Sequence, residues 1–186
     1  MALEGPKYRV VTKDGKFEIR EYDPYITAEV EIESDYDSAL RQGFRILAGY
    51  IFGDNRKKEH IPMTAPVTEQ EKGQSEKMPM TAPVTSRLSR EGVHLVSFAM
   101  PSKYTIDSLP APNSEEIRFR QVEAHKAAVV RFRGYLKARL LDRKTEELKE
   151  WLAGNNLTPS GAFVSAQYNP PWIPGFLRRN EVLVNI

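Results

Sequence analysis

Met63 and Met80 are the residues of this chain whose surroundings point most directly to binding chemistry. They occupy the third positions of two nearly identical octapeptides, residues 61–68 and 78–85, which differ only in their first residue. A methionine thioether is flexible and polarizable, so it adapts to apolar ligands of irregular shape. Methionines beside prolines also pack in ordinary cores. The residues alone therefore leave a ligand-lining role and a core role open for both methionines.

The prolines of the two octapeptides determine the backbone that we expect there. Each copy carries prolines at its second and sixth positions. A proline fixes its own φ and disfavours helix at the preceding residue. We therefore expect both copies to form edge strands or bulged strands.

The three histidines do not form a metal-binding pattern. His60, His94 and His125 lack the H-x-x-x-H and H-E-x-x-H spacings of zinc sites. His94 begins a strand-like run and His125 lies at a predicted hairpin turn, so we expect structural roles for both. His60 directly precedes the first octapeptide and has the strongest case for a ligand role.

The chain also lacks the signatures of several enzyme classes. It contains no cysteine, which excludes disulfides, thiolate metal sites and a cysteine nucleophile. It has no G-x-S-x-G elbow and no G-x-G-x-x-G loop. The sequence therefore predicts a protein that is not an enzyme.

Charge and length narrow the class of protein further. The 27 Lys+Arg nearly balance the 25 Asp+Glu, which argues against the basic footprint of a nucleic-acid binder. The N-terminus has no signal-peptide pattern, and no run approaches the roughly 18 apolar residues of a membrane span. We expect a soluble, cytoplasmic protein with one domain over residues 1–186.

Hydrophobic periodicity predicts a hairpin followed by a helix. Apolar residues alternate from Lys16 to Ile32 around Asp23-Pro24, which is typical of two strands joined by a turn. From Ser34 to Phe52 the period changes to that of a helix, and Gly53 ends the run.

The same pattern returns one hundred residues later, from Ile117 to Phe132, with a second helix expected around Lys144 to Ala153. We interpret residues of about 7–68 and 107–186 as diverged copies of one hairpin–helix unit. Further strands are expected at Val93 to Ala99, Gly161 to Tyr168 and Val182 to Ile186. The predicted fold class is α+β, a curved, barrel-like antiparallel sheet with two flanking helices.

Several motifs in this order resemble the SOUL haem-binding protein family. They are the two octapeptides, Glu18-Ile-Arg-Glu-Tyr22, Met100-Pro-Ser-Lys-Tyr104, Tyr168-Asn-Pro-Pro-Trp172 and Arg178-Arg-Asn-Glu-Val182, which together extend over nearly the whole chain. The resemblance implies the same curved sheet with two helices. It also implies a non-enzymatic carrier or buffer of haem b or a related tetrapyrrole.

The resemblance places this ligand in a hydrophobic groove between the first helix and the late loop with the Tyr-Asn-Pro-Pro motif, where Asn169 replaces a frequent aspartate. Haem needs an apolar slot, partners for two propionates and, optionally, an axial ligand. The candidate lining residues are Phe44, Leu47, Ile51, Met63, Met80 and Tyr168, and the candidate propionate partners are Arg56, Lys57, Arg178 and Arg179. Arg178 and Arg179 are equally candidates for anchoring the late loop to the sheet.

The axial ligand stays open. One branch of the family carries a histidine after the Glu-Ile-Arg triplet and is proposed to use it for the iron, whereas this chain has Glu21. The iron is then left with His60, a methionine, Tyr168 or no protein group at all, and His60 is the candidate that we name.

Three other functions also stay open. The duplicated hairpin–helix architecture resembles that of multidrug-sensing effector domains, which indicates a binding module for other flat apolar or cationic small molecules. A haem-degrading or small hydrolase activity is a second alternative. A protein-interaction scaffold, based on Pro170-Pro-Trp-Ile-Pro174, is a third.

Overall fold

The computed structural model describes residues 4–57, 75–169 and 173–186. The first octapeptide with Met63, the candidate ligand His60 and the segment Pro170-Pro-Trp172 lie outside these ranges.

Nine of the described strands form one antiparallel sheet, and two helices pack on it. The sheet strands are β1 (Tyr8–Asp14), β2 (Phe17–Tyr22), β3 (Tyr25–Glu33), β5 (Val84–Arg90), β6 (Val93–Ala99), β8 (Arg118–Val122), β9 (His125–Arg133), β10 (Ser160–Gln167) and β11 (Arg179–Asn185), in the order β1-β2-β9-β11-β10-β5-β6-β3-β8. The two-residue strands β4 (Asn55–Arg56) and β7 (Ala111–Pro112) pair separately, and the helices are α1 (Tyr36–Ile51) and α2 (Ala138–Gly154).

Both strands predicted around Asp23-Pro24, and α1 after them, form where the sequence predicts them, but the predicted hairpin between these strands is wrong. Strand β2 pairs with β1 and β9, whereas β3 pairs with β6 and β8, so the hairpin is β1–β2, with Gly15 at a φ of +55° in its turn. On β2 buried and half-buried residues alternate, as expected for a strand with one face on a core. Asp35 caps α1 by accepting a hydrogen bond from the Ser38 backbone N–H at 3.1 Å. Gly53 follows the helix end with a φ of +117°. Residues other than glycine rarely adopt that backbone conformation, which explains a glycine at this position.

Close approach at one glycine fixes α1 on the sheet. A Cβ atom at Gly43 would lie 2.6 Å from the Val96 Cβ of β6. The missing side chain therefore lets the helix backbone lie directly over β6. Leu47 and Ile51 of α1 are fully buried in the resulting core, and Leu148 and Leu152 of α2 are their counterparts over β9 and β11.

Two expectations about element bounds are wrong. The second octapeptide enters the sheet only at Val84, since Thr81 makes just an isolated bridge to Glu4, and the two prolines lack the N–H groups that a strand ladder needs. Helix α2 starts at Ala138, six residues before Lys144, and its N-cap Lys137 makes no side-chain capping bond. No capping residue in the sequence therefore indicated that start.

The sheet curls into a half-barrel. We call the face that carries both helices the outer face and the opposite one the inner face. Tyr8 on the edge strand β1 and Val122 on the other edge strand β8 line the same cavity on the inner face. Strands at opposite ends of the sheet order meet there only because the sheet is strongly curved.

These features confirm the predicted α+β class with a curved antiparallel sheet and two flanking helices. Strands β8 and β9 follow β2 and β3 by one hundred residues and precede α2 as β2 and β3 precede α1. The hairpin predicted for this second copy is wrong as well, because β8 pairs with β3 and β9 pairs with β2 and β11. The domain count and the bounds of the two copies stay predictions. In the described ranges, no helix is both long enough and apolar enough to cross a bilayer.

Candidate ligand sites on the two faces of the sheet

The outer face carries a surface strip between α1 and the segment that follows β10. A row of directly paired residues leads across this face from Phe98 on β6 through Val84 on β5 to Gln167 on β10. The ring of Phe44 on α1 stands edge-on to Phe98, with ring centroids 5.5 Å apart. Tyr168, the first residue of the late loop, directly follows Gln167. We call this region, from Phe44 to the late loop, the outer strip.

Helix geometry orients one flank of α1 toward the outer strip. Tyr50 contacts Phe119 of the edge strand β8, with centroids 5.5 Å apart. Phe44 precedes Tyr50 by six residues and therefore lies roughly 120° around the helix from it, against Phe98 of β6. Phe44 is 36% exposed, and Phe52, two turns further on, is also exposed. Phe44 thus borders the strip with part of its surface in water.

The late loop supplies apolar surface at the other end of the strip. Phe176 is 72% exposed, and its neighbour Leu177 is exposed as well. The loop is fixed by contacts to the end of β9. The Gly134 backbone N–H donates a hydrogen bond to the Gly175 carbonyl at 3.0 Å, and Gly175 packs so tightly on the Tyr135 ring that a Cβ there would lie 2.4 Å from it.

Two polar side chains hold the same loop. The Nε of Arg178 donates to the Ile173 carbonyl at 2.7 Å, and its guanidinium lies 4.8 Å from the centre of the Tyr135 ring. The Asn169 side-chain oxygen accepts a hydrogen bond from the Arg179 backbone N–H at 2.6 Å. These bonds give Arg178 an anchoring role, and they show that asparagine at position 169 supports the turn.

The sequence-predicted residues divide between the two faces. Leu47 and Ile51 are fully buried beneath α1, and Met80 is half-buried against the same core. Phe44 borders the outer strip. Arg56 and Lys57 are exposed just beyond the end of α1. Tyr168 points to the inner face, away from all of these residues.

The inner face contains a cavity of about 450 Å³. Four tyrosines line it, together with His125: Tyr8, Tyr22, Tyr25 and Tyr168. The rings of Tyr22 and His125 are stacked, with centroids 5.1 Å apart and planes 10° from parallel. We call this space the inner cavity. Sequence analysis assigned none of its residues to a site except Tyr168 and Arg179.

A network of buried charges lies behind the wall of the inner cavity. Arg20 forms hydrogen bonds of 2.8 Å to both carboxylate oxygens of Glu181 and to one oxygen of Glu18. Burial disfavours the charged form of Glu181, but the hydrogen bonds and charge of Arg20 outweigh it and hold the pKa of Glu181 below its ordinary value. Burial also raises the pKa of Tyr22 to about 12. The alternation Glu18, Arg20, Tyr22 along β2 is the sequence signal for a polar inner face.

Tyr168 is committed to this network. Its hydroxyl donates to Glu181 at 2.6 Å, and the Arg179 guanidinium lies 4.0 Å from the centre of its ring. Burial and the charge of Glu181 raise the pKa of Tyr168 above its ordinary range. Iron binding by tyrosine favours the phenolate, so this environment opposes a role for Tyr168 as an axial ligand.

The two described histidines have structural surroundings. His94 packs its ring edge-on against Tyr36, with centroids 5.8 Å apart. The Nδ1 of His125 lies 2.8 Å from the Glu123 carbonyl oxygen, and its ring stacks on Tyr22. Their placement agrees with the structural roles expected for both.

Comparison with known proteins identifies relatives over most of the chain. The family model described as SOUL heme-binding protein matches residues 3–185. Heme-binding protein 2 of Mus musculus is 43% identical over 72 residues, which are 36% of this chain and 35% of that protein. Heme-binding protein 1 of Xenopus laevis is 28% identical over 173 residues, which are 91% of this chain and 84% of that protein. The alignment with the mouse protein thus spans about a third of its length.

Solved structures share the fold at low sequence identity. The C-terminal domain of EcmrR has a TM-score of 0.61 at 11% identity, with 96% of each chain covered. A hydrolase from Listeria innocua has a TM-score of 0.58 at 9% identity, with 94% of this chain and 93% of that chain covered. At such identities these likenesses show the fold alone.

Proposed function

Because the chain belongs to the SOUL heme-binding protein family, we propose that it binds haem or a related tetrapyrrole and carries or buffers it without chemical turnover. The relatives that match most of its length are named as heme-binding proteins. The cytoplasmic location expected from the sequence stays a prediction.

We place the tetrapyrrole on the outer strip. The observation that carries this proposal is the exposure of aromatic side chains at both ends of the strip, Phe44 on α1 and Phe176 on the late loop. Large apolar side chains that face water on two sides of one surface are typical of a site for a flat apolar ligand. Leu47 and Ile51 would support this site from within the core, because both are fully buried.

The propionates would lie toward the end of α1. Arg56 and Lys57 are exposed there and are free to turn toward a carboxylate. Arg178 is less suited to this role, since its Nε already holds the Ile173 carbonyl. For the iron, His60 stays our candidate, and the hydrogen-bonded hydroxyl of Tyr168 argues against a tyrosine ligand.

A titration of variants tests this location. Phe44→Ala and Phe176→Ala each remove an aromatic face from the outer strip, so we expect each to weaken haem binding by about tenfold. Val11→Ala is the control, because Val11 is also an exposed apolar residue but lies on the edge strand β1. Binding is followed by the Soret absorption band.

The possible outcomes distinguish a failure of the proposed location from a failure of haem binding itself. Binding by the unaltered protein with equal affinity in all three variants would contradict the outer strip as the site. Absence of any Soret change in the unaltered protein would contradict haem binding itself. Circular dichroism of Phe44→Ala checks that the loss of the Phe98 contact leaves the fold intact.

A further inference from the structure

We propose that the inner cavity is a second ligand site, separate from the outer strip, and that it binds a small planar aromatic anion such as an aromatic carboxylate. This inference goes beyond tetrapyrrole binding and rests on the charges and rings that line the cavity.

The charge of the cavity wall is positive. Arg87, Arg120 and Arg179 line it, and the described lining residues include no aspartate or glutamate. Two acids lie close by, but both are buried and already paired. Glu29 accepts two hydrogen bonds from Arg120, at 2.8 and 2.9 Å, and Glu181 is bonded by both Arg20 and Arg179. These two carboxylates neutralise Arg120 and Arg179, and the remaining positive charge of the wall is that of Arg87.

Arg87 is the lining cation that takes no part in these ion pairs. It lies on β5, paired with Leu95 on β6, and its side chain is half-buried. Among the described residues, Arg87 has no hydrogen-bond or ion-pair partner. A partly buried guanidinium without a counterion is unfavourable, and a carboxylate matches it with two parallel hydrogen bonds. An anionic ligand would supply the missing partner.

Aromatic side chains define the rest of the ligand. Tyr8, Tyr22, Tyr25 and Tyr168 contribute ring faces or edges to the cavity, and such surfaces favour stacked or edge-on contact with a planar molecule. The volume of about 450 Å³ lies in the range of small-molecule sites. A hydroxyl group on the ligand would also find partners in Thr85 and Ser97, which lie in the wall and share a hydrogen bond of 2.8 Å.

The positive charge of the cavity wall favours an anionic ligand over the cationic molecules that the resemblance to multidrug-sensing domains suggested. A cation in the cavity would face the uncompensated charge of Arg87, with no aspartate or glutamate among the described lining residues to attract it. Like charges in a partly desolvated space repel strongly. We therefore expect anions to bind and cations of the same shape to be rejected.

The test compares three probes of one shape by isothermal titration calorimetry. The probes are 1-naphthoate, its neutral amide and 1-naphthylmethylammonium. We expect 1-naphthoate to bind, the amide to bind at least about tenfold more weakly, and the ammonium compound not to bind, since a charged hydrogen bond outweighs a neutral one by that factor or more. Equal binding of the anion and the cation would overturn the proposal.

Two variants on one strand locate the site. Arg87→Gln removes the unpaired cation and should weaken 1-naphthoate binding by about tenfold, whereas Arg90→Gln makes the same charge change on β5 outside the cavity and should leave it unchanged. Arg87→Lys keeps the charge without the planar fork and should give an intermediate affinity. Equal affinities in Arg87→Gln and Arg90→Gln would overturn the assignment to the inner cavity.

A competition experiment tests the separation from the tetrapyrrole. We expect 1-naphthoate to bind equally well to the protein alone and to the protein mixed with one equivalent of haem. Displacement of either ligand by the other would contradict two separate sites. Because the first titration contains no haem, its result is independent of whether the tetrapyrrole proposal holds.

Discussion

Arg20 and Glu181 lie 161 residues apart in the chain and form two parallel hydrogen bonds of 2.8 Å on the inner face of the sheet. Both side chains are completely buried. Strand β9 separates β2, which carries Arg20, from β11, which carries Glu181. The ion pair therefore reaches across an intervening strand and joins β2 to β11.

We expect the loss of one partner of this pair to destabilise the fold strongly. Glu181→Gln leaves the Arg20 guanidinium buried without its main counterion, which typically costs about 3–5 kcal/mol in the free energy of unfolding. Urea unfolding followed by circular dichroism measures the change. Arg9→Gln is the control, because its ion pair with Glu21 lies at the surface and should contribute little. A similar effect of both substitutions would contradict the importance of the buried pair.

The same network predicts sensitivity to acid. The folded-state pKa values of Glu181 and Glu18 lie below the ordinary value of 4.5, because hydrogen bonds and charge from Arg20 outweigh burial. The unfolded chain thus takes up protons at a higher pH than the folded protein. The stabilisation is complete above the ordinary carboxyl pKa and is lost as the pH falls through the lower folded-state values.

Urea unfolding at a series of pH values measures this loss. Between neutral pH and pH 4.5 we expect the midpoint to change little, and below it to fall steeply. Glu18→Gln should make the fall shallower, since one of the two shifted carboxyls is then absent. Parallel curves for the two proteins would show that Glu18 does not contribute.

Tyr168→Phe separates a structural tyrosine from an iron ligand. The substitution removes the hydroxyl that donates to Glu181 at 2.6 Å and should lower the free energy of unfolding by about 1–3 kcal/mol. It should leave the wavelength of the Soret band of the haem complex unchanged, since we expect no bond from this oxygen to iron. A shift of that band in the variant would contradict the account of Tyr168.

The close packing of α1 on the sheet can be tested by substituting two glycines of the chain. Gly43→Ala would bring a methyl group to 2.6 Å from Val96, so we expect a loss of about 1–3 kcal/mol in the free energy of unfolding from overpacking. Gly154→Ala is the matched control, because nothing lies within 4 Å of a Cβ atom there, and alanine favours helix. Equal stability of both variants would show that α1 shifts easily on β6.

Individual strands and helices could be predicted from the sequence where hydrophobic periodicity determines them. Alternation predicted the strands β2 and β3, the change of period predicted α1, and the run from Val93 to Ala99 is β6 as expected. The pairing of β2 with β3 was wrong, because a short turn between two strands does not specify that they pair with each other. The start of α2 was missed because Lys137 provides no capping side chain. The second octapeptide was expected to be a strand from its extended backbone, but its prolines cannot complete a ladder before Val84.

The face on which each site residue lies was not predictable from local pattern. Tyr168 came from a motif, yet its side chain lies on the inner face because Gln167 pairs with Val84 on the outer one. One residue of register decides that difference. The pairing of Arg20 with Glu181 depends on the strand order β2-β9-β11, which no local signal specifies.

The most direct test of the proposed function is a visible-absorption titration of the purified protein with ferric and then ferrous haem, alongside metal-free protoporphyrin. We predict a saturable one-to-one Soret shift, and binding of the metal-free ring as well if the apolar outer strip supplies most of the affinity. A flat titration with all three ligands would contradict tetrapyrrole binding by this protein.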